Sequence, residues 1–463
     1  MRMRTKKIVD WVSYILFRLA EWATTIVSMK FCFWIGGISG SLLYYLLKKY
    51  RLLAIRNIHF AFGDSLSDSE IIKLVKLHFS TLGSNFLCSV KLSTLESEEL
   101  ENYIEFEGLE YLQENIIEKK PIIYLIPHMG AWELLAQIKS IAPSMKQGAM
   151  YRALSNKLID KHVLERRQQN GLKAFDRKDG FHMPIKHLKE GGSLGILVDQ
   201  NAGHKGVWCP LFGKLASTSN LAPLMAKKSG ATMFPYYVST IRPAKWKVTV
   251  CKPLLVNKGE NVSTTTARIN LEVEKMVNDS PKDWFWLHNR WKVPKTNFLI
   301  NSHKRGYCIP DQVDAISLKK FKILLLAPQT EEKCKSSTKA IEKIAEGRPD
   351  VEISVLCDSD LSSFWNSSKY EYKVIEKTSL GWDKELSEKI TNTVFDAAVL
   401  FQKSFKDAKK IKQCGIPHIV GCNSNDSNKY IDHVIQNGHD EISSDYYIKI
   451  AESIGAEKPN IID

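Results

Sequence analysis

The first sixty residues almost lack acids. Asp10 and Glu21 stand there against ten lysines and arginines, a net charge of +8 (ten minus two) in the part of the chain that is also most apolar. The whole 463-residue chain carries +14, and a basic excess calls for an anionic partner. Because the excess coincides with apolar sequence, a membrane surface fits it better than a nucleic acid, and no nucleic-acid partner is expected. The nine cysteines include no C-x-x-C pair and no zinc spacing, which points to reduced thiols facing the cytosol rather than a disulfide framework. There is no P-loop and no complete G-x-G-x-x-G, so no cofactor and no metal site is expected. Internal repeats and low-complexity tracts are also missing. A composition 44% hydrophobic and 25% charged excludes wholesale disorder.

What is present begins with apolar runs. Residues 11–29 are apolar but broken by Arg18 and Glu21, whereas 31–47 are more uniform and reach about one bilayer crossing at the short limit. Lys and Arg bracket both runs, and Trp and Tyr are frequent in them, as in an interfacial belt. The expectation is a membrane-anchoring segment over 1–50, as one span or a shallow hairpin. Two buried core helices are the alternative. No small-residue cleavage site follows, so a removable signal peptide is not expected.

Residues 57–95 read as helices, with Ser65-Leu-Ser-Asp-Ser-Glu70 offering N-cap chemistry. Residues 106–110 read as the start of another helix. Strand-like segments at 122–126, 148–151, 193–198, 231–239 and 246–251 then alternate with helix-like ones near 133–140, 157–170 and 265–277. That alternation predicts an α/β fold, a mixed, mostly parallel sheet with helices on both faces. Periodicity fades over 295–314. A larger α/β domain over 51–295 and a linker at 296–320 would thus precede a smaller Rossmann-like α/β domain at 321–463. Strands at 321–327, 351–356, 397–401 and 418–421 and helices near 333–346, 384–394 and 405–414 compose the latter.

The chemistry gathers around 121–135. A buried-strand run, 122–126, ends just before His128, and Glu133 follows five residues later. Ligands and chemistry collect beyond the carboxyl ends of strands in open α/β sheets, and an imidazole there with a carboxylate nearby is how a general base is built. Five residues apart, the two do not share a helix face, so they meet only if the backbone turns at Gly130. Four other stretches accompany them. Arg152 follows a strand and suits an anionic headgroup or phosphate, a structural ion pair being the alternative. Asp199 and Gln200 follow another strand, and Asp199 is a rival partner for His128. Residues 209–213 and 216–219 could present backbone and hydroxyl donors to an anion. The block 281–292 is aromatic and basic, suited to lipid or to a core. Lys157, Lys161, Arg166 and Arg167 form a basic face, either solvated or able to dock an acidic carrier protein.

Together these motifs resemble the late acyltransferases of lipid A biosynthesis, the lauroyl and myristoyl transferases of Gram-negative inner membranes. The resemblance covers residues 5–295 and rests on His128-Met-Gly-Ala-Trp-Glu133, Tyr151-Arg152, Asp199-Gln200, Phe212-Gly213, Trp284-Phe-Trp-Leu-His-Asn-Arg-Trp291, residues 57–62 and the basic, aromatic N-terminus. It implies an O-acyltransferase at the cytoplasmic side of the inner membrane. A fatty acyl chain would pass from an acyl carrier protein thioester to a hydroxyl of a lipid A precursor. It also implies catalytic His128 and Glu133, with Arg152, Asp199, Gln200 and Arg290 binding substrate. His128 would take the hydroxyl proton, a carboxylate would fix the imidazole, and Arg152 would bind a phosphate or the developing oxyanion. Another glycolipid or a lysophospholipid as acceptor, coenzyme A as donor, and a non-catalytic membrane-surface scaffold are the alternatives.

Residues 321–463 resemble the N-terminal half of heptosyltransferase-type glycosyltransferases. The matching pieces are the first strand, Phe395-Asp-Ala-Ala-Val-Leu-Phe-Gln, Cys414-Gly-Ile-Pro-His-Ile-Val-Gly421, His439 and 448–455. The turn Ala327-Pro-Gln-Thr-Glu-Glu-Lys lacks that family's Gly-Asp, and the sequence stops before its nucleotide-sugar half. A docking module without sugar transfer of its own is expected.

Overall fold

The computed structural model describes residues 2–457 except 139–140, 170, 295, 369, 371, 378–380, 423–427 and 437–442. The chain divides into two compact units, one of residues 1–202, 209–212 and 216–291, the other of 203–208, 213–215 and 292–463.

Four helices open the first unit: α1 (Arg2–Ile26), α2 (Met29–Leu46), α3 (Lys48–Phe62) and α4 (Asp68–Leu92). The start of α4 is written in its sequence, because Ser67 and Glu70 close a reciprocal capping box. α2 lies so close to α4 that a Cβ on Gly36 would stand 2.5 Å from the Gly83 carbonyl oxygen. That small-residue contact buries one stripe of α2 and leaves the other faces outside. Ile8, Trp11, Leu16, Trp22, Trp34, Leu42 and Leu46 are all exposed, so the two apolar runs are not buried core helices. No single helix among the described residues is long and apolar enough to cross a membrane. α2 and α3 reach that length together but meet at a 95° bend.

The sheet of this unit contains β1 (Ile104–Glu107), β2 (Ile122–Ile126), β3 (Gln147–Tyr151), β4 (Lys173–Asp176), β5 (Ser193–Leu197), β8 (Thr232–Arg242) and β9 (Lys245–Val250); β6 (Val207–Leu211) and β7 (Lys214–Thr218) form a separate two-stranded sheet. The order is β1-β9-β8-β2-β5-β3-β4, and only the β8–β9 pair is antiparallel. A central parallel strand must be apolar on both faces, and β2 is: Ile123 and Leu125 pack in one core cluster, Ile122 and Tyr124 in another. The first cluster includes residues of helices Leu221–Ser229 and Val262–Asp279, the second residues of α4. The sheet is therefore mixed, mostly parallel and covered on both sides.

Two local expectations fail here. Phe106 lies in β1, and the chain then turns at left-handed Gly108 into a 3-10 turn, Leu109–Leu112, instead of starting an α-helix. The helix expected near 133–140 is a 3-10 turn, Trp132–Ala136, with Ser140 outside the described residues.

The second unit carries six parallel strands, β10 (Phe321–Leu326), β11 (Val351–Asp358), β12 (Lys373–Lys377), β13 (Ala397–Leu400), β14 (Ile419–Cys422) and β15 (His433–Ile435), in the order β12-β11-β10-β13-β14-β15. The direction of winding reverses between β10 and β13, as in Rossmann-like sheets. The expected linker over 296–320 is overturned. Phe298, Leu299 and Ile300 are fully buried in this unit's core, and Leu299 and Ile300 donate backbone hydrogen bonds to Ile454 and Gly347. His439 and Lys295 lie outside the described residues. All nine cysteines are free.

Candidate active site

β2 delivers the chain to Pro127 and His128, and the following backbone is clamped from the far end of the unit. Met129 bridges antiparallel to Trp284, the Phe285 N–H donates to the His128 carbonyl (2.9 Å), and the Gly130 N–H donates to Asp283 (3.0 Å). Gly130 takes φ +56°, and a Cβ there would stand 2.7 Å from the Val238 carbonyl oxygen. Only glycine satisfies both conditions. The buried Asp283 side chain is itself held by Thr240 (Oγ1 at 2.6 Å, N at 2.8 Å), Ser280 Oγ (2.7 Å) and Asn85 Nδ2 (3.1 Å).

β5 runs parallel to β2 with Leu197 in register with Ile126, so Asp199 emerges beside His128. The imidazole Nδ1–H donates to Asp199 Oδ1 at 2.7 Å, and the His128 backbone N–H donates to Oδ2 at 2.8 Å. Trp284 Nε1 donates to the same Oδ2 at 2.8 Å. Burial alone would disfavour the imidazolium, but the Asp199 carboxylate, and Glu133 further off, outweigh it, and the His128 pKa is raised. Burial works against the Asp199 charge too. His128 and the hydrogen bonds from His128 and Trp284 nevertheless hold its carboxyl down to about 2. With Nδ1 committed, Nε2 is the basic atom, and the Gln200 amide donates to it at 3.2 Å. Trp132 meets the ring edge-on at 5.2 Å between centroids.

The other expected residues fall in different places. Glu133 makes its ion pair with Arg167 (2.6 Å), so of the two expected carboxylates it is Asp199, not Glu133, that hydrogen-bonds the imidazole. Arg152 follows β3, is exposed, and has no ion pair among the described residues. Arg290 is 1% exposed and donates to the Ser217 carbonyl (2.7 Å), Thr218 Oγ1 (2.6 Å) and Asn270 Oδ1 (3.3 Å). Burial depresses its pKa to about 10. It braces the interior and cannot reach a substrate, a correction to the expected binding set. Ser217 and Thr218 are fully buried as its acceptors and are closed to an anion, whereas Ser219 is half-buried and lines the cavity that also holds His128. Trp284, Trp286 and Trp291 are buried core aromatics rather than lipid contacts.

His128, Glu133, Arg152, Arg167 and Gln200 line one cavity of about 460 Å³, within the usual range for small-molecule sites. The rest of its wall is mainly apolar, including Tyr124, Ile126, Leu135, Ile138, Val163, Leu164 and Leu172. Val163 and Leu164 come from helix Lys157–Gln169, whose basic residues are committed in part. Lys157 pairs with Asp160, Lys161 with Glu165 and Arg167 with Glu133. His162 on this helix donates to Glu21 Oε1 of α1 (2.9 Å), and Arg18 Nε pairs with Glu21 Oε2 (3.2 Å).

The sequence profile of the bacterial lipid A biosynthesis acyltransferase family matches residues 3–293. The chain belongs to that family. The lipid A biosynthesis lauroyltransferase of Escherichia coli (strain K12) is 26% identical over 258 residues, 55% of this chain and 83% of that protein. A lipid A biosynthesis acyltransferase of Haemophilus influenzae is 24% identical over 281 residues, 60% of this chain and 82% of that protein. A solved E. coli ADP-heptose lps heptosyltransferase II is similar to 29% of the chain with 20% identity and a TM-score of 0.26, the match spanning 41% of that protein.

The chain is thus an O-acyltransferase of lipid A biosynthesis, a family that implies a lipid A precursor as acceptor. Its site also depends on residues outside the expected catalytic and binding set, some of them in the matching stretches 57–62 and 284–291. Asn57 of α3 donates to the Trp286 and His288 carbonyls (2.8 Å each), and His288 Nε2 accepts from the Asn201 N–H (3.0 Å). The acyltransferase thereby ties the loop after β5 to the 284–288 segment that clamps His128. Asn85 and Asp283, far apart in sequence, offered no local signal at all.

Proposed function

We propose that this acyltransferase moves a fatty acyl chain from an acyl carrier protein thioester to a hydroxyl of a lipid A precursor, with His128 as general base. The observation that carries the reading is the His128–Asp199 pair, with basic Nε2 at a largely apolar cavity. Nε2 takes the acceptor hydroxyl proton as that oxygen bonds to the thioester carbonyl carbon. The carbonyl becomes a tetrahedral oxyanion, the C–S bond then breaks, and the imidazolium returns the proton to the leaving thiolate. Asp199 holds the Nδ1–H tautomer and stabilises the imidazolium. Gln200 donates to Nε2 in the resting state, and its amide can turn its oxygen to the N–H once Nε2 is protonated. Arg152, a cation without an ion pair among the described residues, suits the acceptor phosphate or the oxyanion.

The apolar outer faces of α1 and α2, set among the basic residues of 1–60, support attachment to an anionic membrane. Free cysteines support the cytoplasmic side of the inner membrane as its location. Purified chain incubated with acyl carrier protein thioester and a lipid A precursor is expected to yield the ester. His128→Ala is expected to lose it while remaining folded, read as a cooperative thermal transition. Normal transfer by that variant would remove the base from this mechanism.

A further inference from the structure

We infer that acyl-chain length is read by a row of small residues, Gly195, Ala149 and Ala174, which floors the distal part of the cavity. The inference rests on the reading of that cavity as the acyl site. Strands β2, β5, β3 and β4 are consecutive neighbours in the sheet. Tyr124 is in register with Gly195, Gly195 with Ala149, and Ala149 with Ala174. Residues in register present their side chains to the same face, and all four line the cavity. Two residues further along their strands, Ile126, Leu197 and Tyr151 line it as well. The small row is therefore a trough beside a bulkier ridge, opening away from Tyr124 across three strand spacings, about 14 Å.

Distance from the chemistry gives the row its role. Tyr124 lies two residues, about 7 Å, before the end of β2 at Ile126, and His128 stands beyond that end, after Pro127. A thioester carbonyl placed at His128 Nε2 thus brings the row against the distal carbons of the chain, not the reacting ones. Side-chain volume added at the row removes space for chain length and leaves the reacting end untouched. The order across the sheet grades the effect, because Ala149 lies nearer to β2 than Ala174 does.

The test uses the full chain and carrier-protein thioesters from octanoyl to stearoyl. Ala149→Leu is expected to move the optimum to shorter chains and lower kcat/KM for the longest relative to the shortest by about 10-fold or more, the discrimination a methylene or two commands in an apolar pocket. Ala174→Leu is expected to trim only the longest chains. An unchanged length profile in both variants, or equal loss at every length in a variant with a normal thermal midpoint, overturns the inference. A second readout needs no turnover and no substituted trough. Palmitic acid carrying a terminal diazirine is expected to label peptides containing 147–151 and 173–176, and labelling confined to other parts of the chain overturns it. The same labelling in His128→Ala separates a failure of the trough from a failure of the proposed chemistry.

Discussion

Asp199 accepts three hydrogen bonds, from the His128 ring, the His128 backbone and Trp284, and each fixes a different freedom of the pair. The ring bond sets the tautomer, the backbone bond fixes the distance, and the indole locks the carboxylate plane. Proton transfer by a positioned histidine is worth about 10²–10⁴-fold, so His128→Ala should lower kcat by that order while the fold is kept. The pH dependence follows in sign. A base works when neutral, and Asp199 raises the imidazole pKa. Activity should rise with pH through a midpoint above that of ordinary histidine. Asp199→Asn removes the counter-charge, so the midpoint should move to lower pH while the plateau falls. A kcat/KM profile with an unmoved midpoint would contradict the pairing. Glu133→Gln should act more mildly, since Glu133 reaches His128 only through its field and makes its direct bond with Arg167. Arg290→Met removes a donor from three buried oxygens. It should cost on the order of 3 kcal/mol, read as a lower thermal midpoint without a selective rise in KM.

Among elements, the α1 charges that broke the apolar run turn out to be its docking points. Glu21 is buried, accepts from His162 of helix Lys157–Gln169, and is paired with Arg18. Glu21→Ala should loosen the helix that supplies Val163 and Leu164 to the cavity, raising KM for the acyl donor more than it lowers kcat. Equal effects on both would argue against that route. The exposed Trp11 and Trp22 point to another function for the same helix. Replacing both with serine should weaken flotation with anionic vesicles while leaving the chain folded. How far these elements were legible depended on their burial. β2, β5 and β10 were readable because strands buried on both faces must be short, continuous apolar runs. β4, with its Lys173-Ala-Phe-Asp176, and β1, with its Ile104-Glu-Phe-Glu107, are short edge strands with polar faces, and their patterns did not rise above the surrounding sequence. Segment 133–140 has helical periodicity, yet after the left-handed turn at Gly130 the described chain forms only a 3-10 turn over Trp132–Ala136.

On the scale of the whole molecule, the site is assembled from segments at 85, 128, 199, 240 and 280–290, and contacts of such separation leave no local trace. His128 was legible from its strand end. Its partner was legible only as a choice between two carboxylates, which the parallel β2–β5 register decides in geometry. The same blindness made 296–320 look like a linker, since its weak periodicity conceals Phe298, Leu299 and Ile300 in a core. The charge of +14 makes a further expectation measurable, namely that binding to anionic vesicles falls as salt rises, because screening weakens exposed charges beyond about 10 Å at 0.1 M. Salt-independent binding would leave the apolar faces as the whole attachment. The central claim is acyl transfer with His128 as base, and mass spectrometry of the reacted lipid A precursor tests it most directly. Wild-type chain should add one acyl mass per acceptor, and folded His128→Ala should add essentially none. An equal yield of acylated product from both would contradict it.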